Sequence, residues 1–528
     1  MRKLTTILFI GLTVLGTSCK KYLDINTNPN AATAATPELI LPQALTATAN
    51  VENSYNTYGM QVGGYGANAG GYGGFGTAIS YNFSSNDYAN LWSSAYDNLE
   101  DYQAILSYTG SQLPKYNYFN AAARIMKVYD FELLVDAYNN IPYTAALTGS
   151  DHLTPTYDDA ATIYASLAAQ LDTAIMTINS AVTGVSVTMG TTNDVLFGGN
   201  TTKWKQLANT LKLRLIVHGT GKATFANKTF DAAGFLTTDA LINPGFTRDN
   251  GKQNPAWNTW AYAYTGSDPA GSPKAWEPSK FMFGFYDGHK LYDSARGRAV
   301  YYLFADSPYT GINQLGYESV SVQKSPSGSF WYSSTNRVGS SAGSSIGILK
   351  GPEAGFPLMI ASESYFLQAE AVVRGLITSA STDATLFKSG INASFTYLYK
   401  MPNNAVPSSI SPSDSVNAYI AKNGSNYLVN YSLATTTANK LEAIITQKYI
   451  ALNFISSQEG WNEYRRTHYP TLVAGGTPYQ TFASRVSEST RADKLPTRIM
   501  YPTSEGSYNP ENVPSGITPF TSTIFWAL

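Results

Sequence analysis

The chain has 528 residues, of which 43% are hydrophobic and 13% charged, so it can bury a sizeable core and is not intrinsically disordered. Its 35 basic and 36 acidic residues nearly cancel, which excludes the strongly basic character typical of nucleic-acid-binding proteins. Aromatic residues are abundant instead, with 38 tyrosines, 23 phenylalanines and 8 tryptophans.

The N-terminus has the pattern of an export signal. Two basic residues precede an apolar run at 4–15, and small residues then lead to Cys19. The run is too short to span a bilayer, so we predict a signal peptide over residues 1–18. Cys19 is the only cysteine in the chain, and its position predicts a bacterial lipoprotein whose thiol carries lipid such as palmitate. Residues 19–36 would then be the lipid anchor and tether.

Amphipathic helices dominate the first part of the body, which we predict to be a single unit over residues 37–528. Apolar residues recur at steps of three and four, the spacing that places them on one helix face. The segments with this pattern are 88–106, 118–138, 158–178 and 202–218.

The middle of the chain differs in composition. From about residue 219 to 355, glycine, serine, proline, asparagine and aromatic residues replace the helical pattern, which predicts an irregular insert with one short helix near 279–286. Helical patterns resume at 357–374, 383–399 and 438–455. Helix pairs without a strict sequence repeat are typical of a degenerate helical solenoid, so we predict a mainly α fold.

Distinctive short segments occur along the whole chain. They are CKKYLD at 19–24, YNNIPY at 138–143, KWKQLANTLKLR at 203–214, ASESYFLQAEA at 361–371, QKYIAL at 447–452, EGWNEYRRT at 459–467, PTRI at 496–499 with YP at 501–502, and FW at 525–526. In this order the set resembles the SusD/RagB family of outer-membrane nutrient-binding lipoproteins, in particular its SusD-like branch that is described as starch-binding.

The resemblance implies both a fold and a function. The fold would be a scaffold of helix pairs similar to tetratricopeptide repeats. The protein would capture a nutrient, commonly an oligosaccharide, at the cell exterior and close as a lid over a partner TonB-dependent, SusC-like transporter in the outer membrane.

An enzymatic function has little support in the sequence. The four histidines are far apart and form no metal-binding pattern, and we predict neither a cofactor nor a catalytic residue. The carboxylate pairs nearest to a glycosidase arrangement are Glu363 with Glu370 and Asp287 with Asp293. Glu363 and Glu370 would lie roughly 10 Å apart on a helix, wider than a retaining enzyme needs. Structural ion pairs with arginines are the alternative role of these acids.

Four tryptophans of the irregular insert are the leading ligand-binding candidates, because sugar C–H faces pack on aromatic rings carried by loops. They are Trp257, Trp260, Trp276 and Trp331. The alternative is that these rings hold long loops over small cores of their own. The remaining tryptophans, Trp92, Trp204, Trp461 and Trp526, are predicted to pack in the core or to dock the C-terminus.

A glycine-rich segment at 59–81 is the second candidate. It carries Tyr65 and Tyr72 on what the composition predicts to be a flexible loop, which could face a ligand or conform to the transporter.

Three further functions remain open beside glycan capture. Loop aromatics and a low charge favour glycan over a scaffold without a small ligand, since protein-docking surfaces more often carry charged rims. A peptide-binding protein of the same architecture would need a similar set of residues. An enzyme is the fourth class.

Overall fold

The computed structural model describes residues 35–72, 74–267, 275–302, 304, 312–317, 330–332 and 345–528. The predicted signal peptide, Cys19 and nearly all of the tether lie outside these residues. Within them the chain forms fifteen α-helices and four short strands.

The helices account for most of the regular structure. In chain order they are α1 Pro37–Val62, α2 Thr77–Ser80, α3 Ala89–Leu106, α4 Leu113–Tyr138, α5 Ala160–Asn179, α6 Thr201–His218, α7 Pro255–Trp260, α8 Lys280–Asp287, α9 Ser294–Val300, α10 Ala361–Val373, α11 Asp383–Tyr399, α12 Pro412–Lys422, α13 Thr437–Ala451, α14 Ser457–Thr467 and α15 Thr503–Tyr508. The strands are β1 Gly66–Asn68, β2 Ala240–Ile242, β3 Trp276–Pro278 and β4 Phe356–Met359.

Local capping explains where several helices begin. The Asp159 carboxylate accepts a hydrogen bond from the Thr162 amide at the start of α5, and Asn200 caps the Lys203 amide at the start of α6. Such side chains satisfy amides that have no partner within the helix. The four helical segments predicted between residues 88 and 218 correspond to α3–α6.

The start of α10 differs from the sequence prediction. The predicted segment began at residue 357, but Phe356–Met359 forms β4 and pairs antiparallel with β2. A short apolar run is compatible with a buried strand as well as with a helix face. Here the pairing with β2 makes it a strand.

The helix α1 was not predicted. Fifteen of its 26 residues are buried, and they include polar side chains such as Glu52 and Asn56, so the buried face is not a continuous apolar stripe. The helix also takes in Gly59–Val62, where the sequence predicted a flexible loop.

The larger helices pack in a closed series. Successive contacts run from α1 to α3, α4, α5, α6 and α10, then through α13 to α14, which packs back on α1. The helix α11 packs on the outside of α10 and α13. Most buried apolar side chains of the described residues belong to one continuous hydrophobic cluster.

Glycine allows the close approach of α1 and α14. A Cβ atom on Gly59 would lie 2.0 Å from the Gln458 amide nitrogen, and one on Gly460 would lie 1.8 Å from the Tyr65 hydroxyl. Gly59, the first glycine of the segment predicted to be flexible, is therefore required for close packing of the two helices.

The strands form two small antiparallel pairs, β1 with β3 and β2 with β4. The β1–β3 pair attaches the irregular insert to the chain that follows α1. Among the described helices, none combines the length and the apolar character needed to cross a bilayer.

Candidate ligand-binding site

The four tryptophans predicted to bind ligand are buried. The exposed fraction is 1% for Trp257, 2% for Trp260, 4% for Trp276 and 0% for Trp331. Ligand contact by these rings stays a prediction.

Ring contacts show what these tryptophans do within the chain. Trp331 stacks on Phe454 with ring centroids 4.5 Å apart, and Trp260 meets Phe454 edge-on at 4.9 Å. Trp276 in β3 meets Phe75 edge-on at 5.7 Å. Such pairs stabilise a core beyond the area they bury. The contacts fasten the irregular insert to the segment between α13 and α14, which is the alternative role considered from the sequence.

The two tyrosines of the glycine-rich segment differ in exposure. Tyr65 is fully buried, stacks on Tyr449 at 4.3 Å and donates a hydrogen bond to the Tyr449 carbonyl at 3.1 Å. Tyr72 is half-buried. Of the two, Tyr72 has the more accessible side chain, and its role in binding also stays a prediction.

The other tryptophans are in the core as predicted. Trp92, Trp204 and Trp461 are exposed by 6%, 0% and 0%. Trp526 docks the C-terminus, since its indole N–H donates to Asp136 Oδ1 at 2.9 Å.

An open groove of about 640 Å³ lies at the C-terminal end of α14. We call it the α14 groove; it is bordered by Tyr464, Thr467, His468, Tyr469, Thr471, Thr481, Arg491 and Asp493. His468 ends α14 in the left-handed conformation, with φ of 59°, and its ring is exposed. The turn carries the chain from the helix to the half-exposed Tyr469.

An ion pair forms one wall of the groove. Arg491 donates from Nε and from one terminal nitrogen to the two Asp493 oxygens, at 3.0 and 2.9 Å. The fork geometry fixes both side chains, while each keeps further hydrogen-bonding capacity. Burial and the nearby Asp493 raise the pKa of Tyr464, so its hydroxyl stays protonated.

The groove combines what a sugar needs: ring faces for C–H contacts and fixed polar groups for hydroxyls. Tyr469, Arg491 and Asp493 were not predicted from the sequence. The arginine and aspartate are two residues apart in a polar loop, a spacing with no distinctive pattern.

The segments that carry the family resemblance meet inside the molecule. Arg214 pairs with Glu132 at 2.6 Å and with Glu363 at 3.0 Å. Lys448 donates to both Glu459 and Glu463 at 2.7 Å. We call this set, together with His218, Glu370 and Arg466, the interior ionic cluster.

The carboxylates of the interior ionic cluster are balanced by cations of the same cluster. Burial alone would lower the pKa of His218, but Glu459 and Glu463 outweigh it and raise the pKa to about 9. The carboxylates around His218 lie close enough together to hold a metal ion, but Lys448 and Arg214 already neutralise them. The arrangement fits structural ion pairing better than a metal centre.

The acids considered for catalysis are also paired. Glu370 binds Arg374 and Arg466, each at 2.7 Å, which confirms the predicted structural role for this residue. Asp293 pairs with Arg296 at 2.5 Å, and Asp287 lies 2.9 Å from the His289 ring nitrogen.

Similar solved structures share this fold. A chitin-binding SusD homologue from Flavobacterium johnsoniae is 20% identical with a TM-score of 0.65, and the match covers 92% of this chain and 99% of that one. SusD homologues from Bacteroides fragilis and Bacteroides uniformis are 19% and 22% identical, each with a TM-score of 0.64 and coverage of 93% of this chain and 99% of theirs. The comparison with curated proteins gives no match.

These likenesses confirm the predicted fold class, a mainly α scaffold of tetratricopeptide-repeat-like helix pairs. A family model described as SusD-like, starch-binding and associating with the outer membrane matches residues 29–502. The chain therefore belongs to the SusD-like family of starch-binding proteins that associate with the outer membrane.

Proposed function

We propose that this protein captures an oligosaccharide at the outer surface of the outer membrane and delivers it to a TonB-dependent, SusC-like transporter, over which it closes as a lid. The observation that carries the proposal is the α14 groove, where exposed rings and a fixed ion pair border an open volume of about 640 Å³. The protein binds its ligand without chemical conversion.

Each border of the α14 groove would contact the sugar differently. The rings of His468 and Tyr469 pack against the C–H face of a pyranose. Arg491 donates to ring or hydroxyl oxygens, and Asp493 accepts from hydroxyl groups, since the ion pair uses only part of their hydrogen-bonding capacity.

The loop tryptophans form a second proposed contact surface. Trp257 lines a small cavity together with Lys350 and Tyr397. Its indole N–H and that of Trp260 have no hydrogen-bond acceptor among the described residues. A sugar hydroxyl could serve as that acceptor if this region opens.

The proposal includes the membrane anchor. Lipid on Cys19 would hold the protein at the membrane without a spanning helix, and residues 20–36 would be the tether that lets the body swing over the transporter. Cys19→Ser should release the protein from the membrane fraction, and co-purification with the barrel from solubilised membranes tests the partnership.

The first experiment is affinity electrophoresis and calorimetry of the purified protein against starch, chitin oligosaccharides, other soluble polysaccharides and a casein peptide mixture. Saturable binding of one glycan with no new reducing ends supports capture. Binding of peptides alone would refute the glycan assignment and favour the peptide-binding alternative.

Substitutions then locate the site. Tyr469→Ala should weaken glycan binding by about tenfold, because a stacking ring is lost. Tyr508→Ala is the matched control, since Tyr508 is 78% exposed and does not border the groove. If Tyr469→Ala binds like the control while Trp257→Ala binds weakly at unchanged stability, the loop tryptophans and not the α14 groove form the site.

A further inference from the structure

A second cavity lies between three helices of the scaffold. Its volume is about 280 Å³, and its walls come from α3, α4, α5 and the loop at 143–148. Arg124 and Lys127, one turn apart on α4, both line it, while Phe131 and Leu167 contribute apolar surface. No residue lines both this cavity and the α14 groove.

The two cations in this cavity have only neutral partners. Arg124 donates to the side-chain oxygen of Gln170, and Lys127 Nζ donates to Gln103 Oε1 at 2.5 Å. Across the described part of the chain, no carboxylate oxygen lies within 4.0 Å of either charge. The Arg124 Nε–H is buried and has no acceptor there.

Arg124 and Lys127 are half-buried, and several cations that are fully buried elsewhere in the scaffold have carboxylate partners. Arg214, Lys448 and Arg466 each contact carboxylates at 3.0 Å or less. Partial burial of a charge without an opposite charge has a desolvation cost, which a bound anion would offset.

Electrostatics at the cavity agree with this geometry. Burial, with a smaller effect of Arg124, lowers the pKa of Lys127 to about 8, although Glu100 acts in the opposite direction. Burial likewise lowers the pKa of Arg124. Both directions agree with partly desolvated cations that have no carboxylate within 4.0 Å among the described residues.

We propose that this cavity binds an oxyanion group, a carboxylate or a sulfate, carried by a molecule about the size of one sugar ring. A guanidinium fork matches the two oxygens of such a group, and the lysine adds a point charge beside it. The volume is at the lower end for small-molecule sites, which limits the ligand to a small one. The apolar wall would face its uncharged part.

Calorimetry with four probes tests the proposal: D-glucuronate, D-glucose, acetate and inorganic sulfate. Glucuronate should bind saturably and glucose should not. Tighter binding of glucuronate than of acetate supports an anionic sugar as the ligand, and equal binding of all three anions supports a site for free anions. If none of the anions binds at millimolar concentration, the proposal is wrong.

Two variants tie the binding to this cavity. Lys127→Met and Arg124→Gln should each weaken anion binding by about tenfold or more, since each removes a charge-assisted hydrogen bond. Lys388→Met, at an exposed position on α11, is the matched control and should bind as the unsubstituted protein does. Lys127→Met should not lower the thermal midpoint, because it removes a poorly solvated charge. Anion binding that both variants retain would overturn the assignment.

Discussion

Glu277 is an acidic residue that lies in the protein interior. It is a charged residue type in β3, yet its exposed fraction is 0% and neither carboxyl oxygen has a partner among the described residues. Burial raises its pKa from 4.5 to about 10, against a smaller opposing effect of Lys280. The side chain is therefore a neutral acid at physiological pH.

Glu277→Gln should change how the free energy of unfolding depends on pH. Between pH 4.5 and 10 the folded protein holds the proton and the unfolded chain does not, so this residue lowers the free energy of unfolding as the pH rises. The glutamine variant should match the unsubstituted protein near the lower end and gain about 1.4 kcal/mol relative to it per pH unit above that. Urea denaturation across this range measures the difference. Glu511→Gln, at an exposed position, is the control, and a flat difference for Glu277→Gln would contradict the buried-acid account.

Residue type alone could not locate the proposed binding surface. The sequence shows that Trp331 lies in an irregular segment, but only the fold brings Phe454, more than a hundred residues later, against its ring face. Conversely, Tyr469 borders the same groove as Arg491 and Asp493 because the chain turns at His468. That turn has no sequence signal of its own.

At the scale of elements, helices with a continuous apolar stripe were predictable, and a helix that buries polar side chains and glycine was not. The apolar stripe of α5 and its Asp159 cap are legible in the sequence, because one face of this helix meets solvent. The helix α1 packs against α3 and α14 with polar residues such as Glu52 and Asn56 on its buried side, and Gly59 resembles a loop residue until the partner helix is seen.

The interior ionic cluster gives a prediction at this scale. Lys448→Met should lower the free energy of unfolding by about 3–5 kcal/mol, because it removes the cation that contacts both Glu459 and Glu463 at 2.7 Å and leaves these buried carboxylates only partly balanced. Chemical denaturation followed by circular dichroism measures the loss.

Lys440→Met is the control on the same helix. Lys440 pairs with Asp383 at 2.8 Å, but its side chain is 35% exposed, so the variant should lose less than about 1 kcal/mol. Equal losses for the two variants would show that burial does not determine how much an ion pair contributes to the free energy of unfolding.

At the scale of the whole molecule, the last residues close the core. Ile524 and Trp526 are exposed by 0% and 2%, and the Leu528 amide donates to the Arg465 carbonyl at 3.1 Å. Removal of residues 524–528 should lower the free energy of unfolding by at least about 3 kcal/mol, since a buried tryptophan and isoleucine are lost. Thermal unfolding checks this. Removal of Leu528 alone, which is 62% exposed, should have little effect, and a similar outcome for the longer deletion would contradict the structural role of Trp526.

The contact between α1 and α14 also constrains how the chain reaches its folded state. Asn56 donates to the Phe454 carbonyl at 3.0 Å and accepts from the Ser457 amide at 2.8 Å, so the first long helix gains its partner about four hundred residues later. Contacts over such separations form slowly, because the intervening chain must first be brought together. During synthesis α3 and α4 can cover part of α1 early, but the surface that packs on α14 stays uncovered until α14 has emerged. Any product that ends before α14 should therefore aggregate, because it keeps this apolar surface exposed.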